Sequence, residues 1–220
     1  MQRIALFGGT FNPVHLGHLR VAEEVREGFA LDMVYFIPAA NPPHKPNMGI
    51  APAADRYEML LHAIQGNPAF AVSDLELKRS GRSYTIDTVK QFYSQLPGAF
   101  RCWLVMGMDA FSEIETWKSY GEIFERIETI VLSRPSDRGR QDLTDLVSGV
   151  VSSRISEQYR YEPENQRFVH PEKCAIYPFS ATLLDISASR IRSLTAAKAS
   201  VRYLVPERVE AYIQEKGLYL

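Results

Sequence analysis

Cysteine is nearly missing from this 220-residue chain: Cys102 and Cys174 are the only two, far apart in sequence. Neither their number nor their spacing makes a disulfide framework or a zinc motif, so free thiols in a reducing compartment are expected. An excess of one charge is missing too. Lys and Arg number 25 against 26 Asp and Glu, a formal net charge of -1, so no global field draws the chain to nucleic acid or to an anionic lipid surface. No apolar run approaches a membrane span, and Ile4–Phe7, behind a single basic residue, is too short for a signal sequence. The expectation is a cytoplasmic protein with neither a nucleic-acid nor a membrane partner. Two familiar phosphate signatures are absent as well, since the chain has no G-x-G-x-x-G and no Gly-Lys-Ser/Thr. Internal repeats and low-complexity tracts are also lacking, and the length suits one α/β domain.

What is present centres on Gly8–His18, G-G-T-F-N-P-V-H-L-G-H. An apolar run leads into two glycines and a helix-compatible pattern leads out, which predicts a strand, a tight turn at glycines able to take φ > 0, and a helix start. The unpaired N–H groups and positive dipole end of that helix favour an anion. His15 and His18 lie three apart, which places both imidazoles on one side of the first turn. A phosphate site is the sharp reading. A shared metal would need further ligands that are not near in sequence, and a purely structural pair is the third alternative.

Hydropathy predicts strands at Arg3–Phe7, Met33–Ile37, Phe70–Leu77, Arg101–Met106, Ile127–Ser133 and Cys174–Phe179. Helices are expected at Leu16–Phe29, Asp55–Ile64, from just after Ser83–Thr88 to about Leu96, weakly at Leu143–Ile155, from a Ser187 cap to about Ala197, and from Pro206 to about Lys216. The first strand, helix and strand form a βαβ unit with a right-handed crossover. The proline-rich stretch Pro38–Pro52 is then a loop at the carboxyl edge of a parallel sheet, where ligands bind. Ser156–Glu172 is polar and unpatterned, and is expected to be a variable surface region without chemistry.

Gly8–His18 resembles the G-G-T-F-[DN]-P-x-H-x-G-H signature of the nucleotidyltransferase superfamily, and Ile186–Arg192, I-S-A-S-R-I-R, resembles its late I-S-x-[ST]-x-I-R signature. Between them Pro42-Pro43-His44-Lys45, Ser83–Thr88, Gly107-Met108-Asp109 and Trp117 resemble segments of bacterial nicotinate-nucleotide adenylyltransferases. The likeness covers nearly the whole chain, least clearly Arg138–Glu172. Asn12 stands where many bacterial members carry Asp.

The resemblance implies an α/β, Rossmann-like doubly wound parallel sheet with helices on both faces and a small C-terminal helical part. It also implies transfer of adenylate from ATP to nicotinate mononucleotide, with pyrophosphate leaving. On that reading His15, His18 and Arg192 are catalytic, and Ser187 adds a hydroxyl and a helix start. Backbone near Gly8, Gly9, Thr10 and Phe11 holds triphosphate oxygens, while Gly107, Asp109 and Ile186 line the adenosine. Trp117 stacks on the pyridine, and N–H groups near Thr85 meet its carboxylate. Asn41, Ser83 and Tyr84 belong to the same mononucleotide site, with Lys45 and Arg134 nearest the phosphates. Magnesium is expected to arrive on ATP rather than in a carboxylate cage of the protein. The rivals are another transferase of the superfamily, acting on phosphopantetheine or an alcohol phosphate, and a nucleotide-binding sensor without turnover.

Overall fold

Ile4–Phe7 is apolar at every position, a pattern suited to a strand buried on both faces. In the computed structural model, which describes residues 1–42, 49–96, 98–133, 142–182 and 184–220, this run is the middle of β1 (Gln2–Gly9). α1 (Leu16–Gly28) follows, burying Ala22 and Val25, and β2 (Met33–Pro38) pairs parallel to β1. α2 (Ala53–Ile64) then leads to β3 (Phe70–Val72), and α3 (Thr85–Gln95) to β4 (Phe100–Gly107). A short α4 (Met108–Ser112) and α5 (Tyr120–Arg126) precede β5 (Glu128–Leu132). Beyond them come α6 (Leu143–Val150), β6 (Arg160–Glu162), β7 (Arg167–Val169), β8 (Ile176–Phe179), α7 (Ala188–Ala196) and α8 (Glu207–Lys216).

These strands form one sheet in the order β3-β2-β1-β4-β5-β8-β7-β6. β1, β2, β3, β4, β5 and β8 run parallel to their neighbours within that group, and β6 and β7 are added antiparallel at the edge. The chain leaves β1 toward β2 on one side and returns to β4 on the other. That reversal opens a crevice at the carboxyl edge between the two central strands. Alternation along β1 and β4 divides the core. Ile4, Leu6, Cys102, Leu104 and Met106 pack with α3, α5 and α6, while Ala5, Phe7, Trp103 and Val105 pack with α1, α2, α7 and α8. The α/β doubly wound expectation is therefore met, with the closing helices on the α1 face.

Three local expectations are corrected. The strand expected to reach Leu77 stops at Val72, because the Ser73 hydroxyl accepts from the Leu75 N–H and the chain turns. Ser156–Glu172 contributes two strands to the sheet edge. Each is only three residues long, and Phe168 in β7 is the one buried member of the two, so no window of that stretch carries a period. The stretch Leu143–Ile155 changes geometry after Val150, continuing as a π-helical turn at Val151–Ile155.

Candidate active site

β1 runs straight through Gly8 and Gly9, and neither glycine has a positive φ, contrary to the sequence expectation. The left-handed residue is Phe11, at φ 46°, followed by a cis Asn12–Pro13 bond. The glycines serve by their lack of bulk. A Cβ on Gly9 would come within 2.9 Å of the Phe11 ring, whereas one on Gly8 would meet nothing within 4 Å and would project into open space. Phe11 cannot easily yield, since its ring packs edge-on against Phe7, Phe36 and His18.

His15 caps α1 and His18 stands on its first turn, so the two rings stack with centroids 3.6 Å apart. The His15 N–H donates to His18 Nδ1 at 3.2 Å, which fixes that nitrogen as an acceptor and leaves the ring proton on Nε2. His15 is 7% exposed, and its Nδ1 has no hydrogen-bond partner among the described residues. Burial lowers its pKa from 6.5 to about 4, so the ring is neutral at pH 7. Gly17 makes this placement possible, because a Cβ there would lie 3.1 Å from His15 Nδ1.

Asn12 ties the turn to distant segments. It is 4% exposed; Oδ1 accepts from the Ala51 N–H and the Tyr219 hydroxyl, and Nδ2 donates to the Gly49 carbonyl. An aspartate could not make that last bond, which gives Asn12 a physical reason here. Its backbone carbonyl accepts from Arg192 Nη1 at 2.9 Å. Arg192 is delivered by α7, whose start Ser187 caps by accepting from the Arg190 N–H. Residues 180 apart in sequence thus meet over the turn.

A cleft of about 950 Å³ runs along this edge of the sheet, large enough for two joined nucleotides. Gly8, Gly9, Thr10, His15, His18, Gly107, Ile186, Ser187 and Arg192 line one part of it, and Ser83, Tyr84, Thr85 and Trp117 line another. The Phe11 ring lies buried behind Gly9, and Asp109 is exposed on α4; neither side chain lines the cleft. Asn41 also lies off the lining. Its N–H donates to the Ser83 hydroxyl and its carbonyl accepts from the Ser83 N–H, so it braces the loop that carries Ser83. Lys45 and Arg134 fall outside the described residues.

The structure adds groups that sequence reading passed over. Lys118 stands beside Trp117 in the cleft, with Nζ 4.9 Å from the Tyr84 ring centroid and paired to Asp87. Glu76 and Thr88 line the cleft floor, joined by a 2.6 Å hydrogen bond. Arg56 had one available signal. It precedes Met59 and Leu60 by three and four residues, so it stands on the apolar stripe of α2. A histidine–hydroxyl pair elsewhere on the chain, His170 and Ser156, offers no nucleophile. His170 Nδ1 accepts from the Glu172 N–H, so Nε2 carries the proton and donates to Ser156 Oγ instead of taking a proton from it. Among the described residues no group of three or more His, Cys, Asp and Glu is placed to hold a metal, and no helix is long and apolar enough to cross a membrane.

Comparison with known proteins identifies the family. The cytidylyltransferase-like family model matches residues 6–194. The "Probable nicotinate-nucleotide adenylyltransferase" of Geobacter sp. (strain M21) is 43% identical over 100% of this chain and 99% of its own length. The chain belongs to the cytidylyltransferase-like family, among the nicotinate-nucleotide adenylyltransferases. The protein of that name from Pelobacter propionicus is 44% identical over 99% of this adenylyltransferase chain and 98% of its own. In fold the chain is similar to Plasmodium falciparum nicotinic acid mononucleotide adenylyltransferase complexed with NaAD, at a TM-score of 0.74 and 16% identity, covering 100% of this chain and 98% of that one.

The two glycines of this adenylyltransferase should respond differently to one methyl group. Gly8→Ala should keep the wild-type thermal midpoint but weaken ATP binding in calorimetry by about tenfold or more, whereas Gly9→Ala should lower the midpoint itself. The depressed pKa of His15 fixes a second expectation. Between about 4 and 6.5 the unfolded state binds the proton that the folded state refuses, so this contribution to stability is complete above 6.5 and is lost as pH falls toward 4. Thermal melts over that window should show a shallower decline for His15→Asn than for the parent chain.

Proposed function

We propose that the chain joins ATP and nicotinate mononucleotide to give nicotinate adenine dinucleotide and pyrophosphate, a step of NAD biosynthesis. The observation that carries the reading is the convergence of Arg192 with His15 and His18 along one cleft, through the hydrogen bond of Arg192 to Asn12. The family membership and the full-length likeness to nicotinate-nucleotide adenylyltransferases support it independently.

A phosphate oxygen of the mononucleotide attacks the α-phosphorus of ATP. A new P–O bond forms, the bond from that phosphorus to the β-phosphate bridging oxygen breaks, and its electron pair leaves with pyrophosphate. The nucleophile is already an anion, so the reaction needs no covalent intermediate. The barrier lies in bringing two anions into line and in the charge that gathers on the leaving group. Donors fixed in advance around those oxygens are what the site supplies. His18, with its proton held on Nε2, donates to the triphosphate where charge develops. His15 contributes a neutral, buried donor edge beside it. Backbone N–H groups of the turn and the start of α7 hold neighbouring oxygens, and Arg192 offers a planar fork. Magnesium enters with ATP as part of the substrate and neutralises phosphate charge.

Tyr84, Thr85, Trp117 and Lys118 form the mononucleotide end, where an aromatic wall, the start of α3 and one cation suit a flat anionic ring. A carboxylate and an amide differ by a full charge, so donors set for the acid leave the amide poorly matched. A cytoplasmic setting agrees with Cys102 and Cys174 being free thiols.

Pyrophosphate release on mixing the protein with ATP, magnesium and nicotinate mononucleotide is the deciding measurement. Release with phosphopantetheine or an alcohol phosphate in its place would favour the other transferases, and binding of ATP without release would favour a sensor. Nicotinate mononucleotide should exceed its amide in kcat/KM, and equal values would remove the assignment of the mononucleotide end. His18→Ala should lower kcat by more than about tenfold with the circular dichroism spectrum unchanged; a smaller drop would dismiss its role at the transition state.

A further inference from the structure

Arg56 is the most deeply buried cation of the described chain, 1% exposed, and among the described residues it forms no ion pair. Its hydrogen bonds go to backbone carbonyls instead. Nε donates to Ala51 at 2.9 Å, Nη1 to Thr10 at 2.8 Å, and Nη2 reaches Ala40 at 3.4 Å. Thr10 belongs to the turn after β1 and Ala40 to the turn after β2, so one rigid fork spans both loops at the carboxyl edge of the sheet. Burial disfavours its charge, and the fields of Tyr219 and Glu76 support it.

The bond to Thr10 has a directional consequence. In a trans peptide the carbonyl and the N–H point opposite ways, so a Thr10 carbonyl held against Arg56 turns the Phe11 N–H away from it. That N–H has no acceptor among the described residues. Phe11 itself sits at φ 46°, a region that a bulky residue keeps only when its surroundings fix it. Here the ring is fixed by Phe7, Phe36 and His18, and the preceding carbonyl by Arg56.

Resting on the nucleotidyl-transfer reading above, we propose that Arg56 is a positioning residue: it prevents the Thr10–Phe11 peptide from flipping, and so keeps the Phe11 N–H presented to the phosphates of the nucleotide. Lysine would keep the charge but could not hold carbonyls on separate turns with one planar group.

The test compares the parent chain with Arg56→Lys and Arg56→Met, using pyrophosphate as the probe. In the parent chain, titration with pyrophosphate should move the Phe11 amide resonance downfield. In both variants that shift should vanish, pyrophosphate affinity by calorimetry should fall about tenfold, and kcat should fall with it while KM for the mononucleotide changes far less. A purely structural role would lower the thermal midpoint and leave the folded variants with parental pyrophosphate affinity, and that result overturns the inference. If neither variant folds, the parent titration decides: a Phe11 amide that stays still while the His18 amide moves overturns it equally. A parent chain that binds neither ATP nor pyrophosphate would instead bring down the functional reading, and this inference with it.

Discussion

Two polyanions repel each other, and on the proposed function the described residues of the cleft answer that repulsion with few full charges. Arg192 supplies one, and it is tied to the turn it serves by a 2.9 Å bond to the Asn12 carbonyl. Most of the remaining donors are neutral: imidazoles, backbone N–H groups and a helix start. Neutral donors held in place cost less to bury than ammonium groups, and they need no reorganisation as charge moves to the leaving group. The turn from Gly8 to His18 therefore has to be stiff, and the structure around it is arranged to make it so.

That stiffness comes from distant parts of the chain. Asn12 is held by Gly49, Ala51 and Tyr219, Thr10 by Arg56, and Gly9 rests on a ring locked among other aromatic rings. α2 and α8 pack together beneath it, with the Tyr212 hydroxyl donating to Asp55. The carboxyl edge of a parallel sheet makes such a site accessible, and packing under the edge makes it rigid. The late signature acts in the same way, since Ser187 sets the start of α7 and thereby the reach of Arg192.

Most of the sheet could be read from sequence because its central strands are buried on both faces and appear as unbroken apolar runs, as at Ile4–Phe7 and Cys102–Met106. The edge could not be read so well. β6 and β7 are three residues each, with Phe168 as the buried member, and β3 ends at a serine turn that hydropathy does not register. At the site, the histidines and Arg192 announced themselves by motif, and the structure places them along one cleft. The glycines were legible as necessary but for a mistaken cause, because periodicity and motif carry no information about whether a Cβ would strike a ring. Asn41, expected at the mononucleotide, lies off the cleft lining and braces the loop that carries Ser83. Arg56 and Tyr219 depend on contacts 46 and 207 residues away in sequence, which no local pattern contains.

The chain has only two indoles, and the fold gives them opposite surroundings. Trp103 is sealed in the core, with Arg3 and Arg101 guanidinium groups against its ring, while Trp117 is half-buried on the wall of the cleft. Intrinsic emission therefore divides into two channels: one ring is an optical gauge of whether the sheet is intact, and the other is open to quenching by whatever enters beside it.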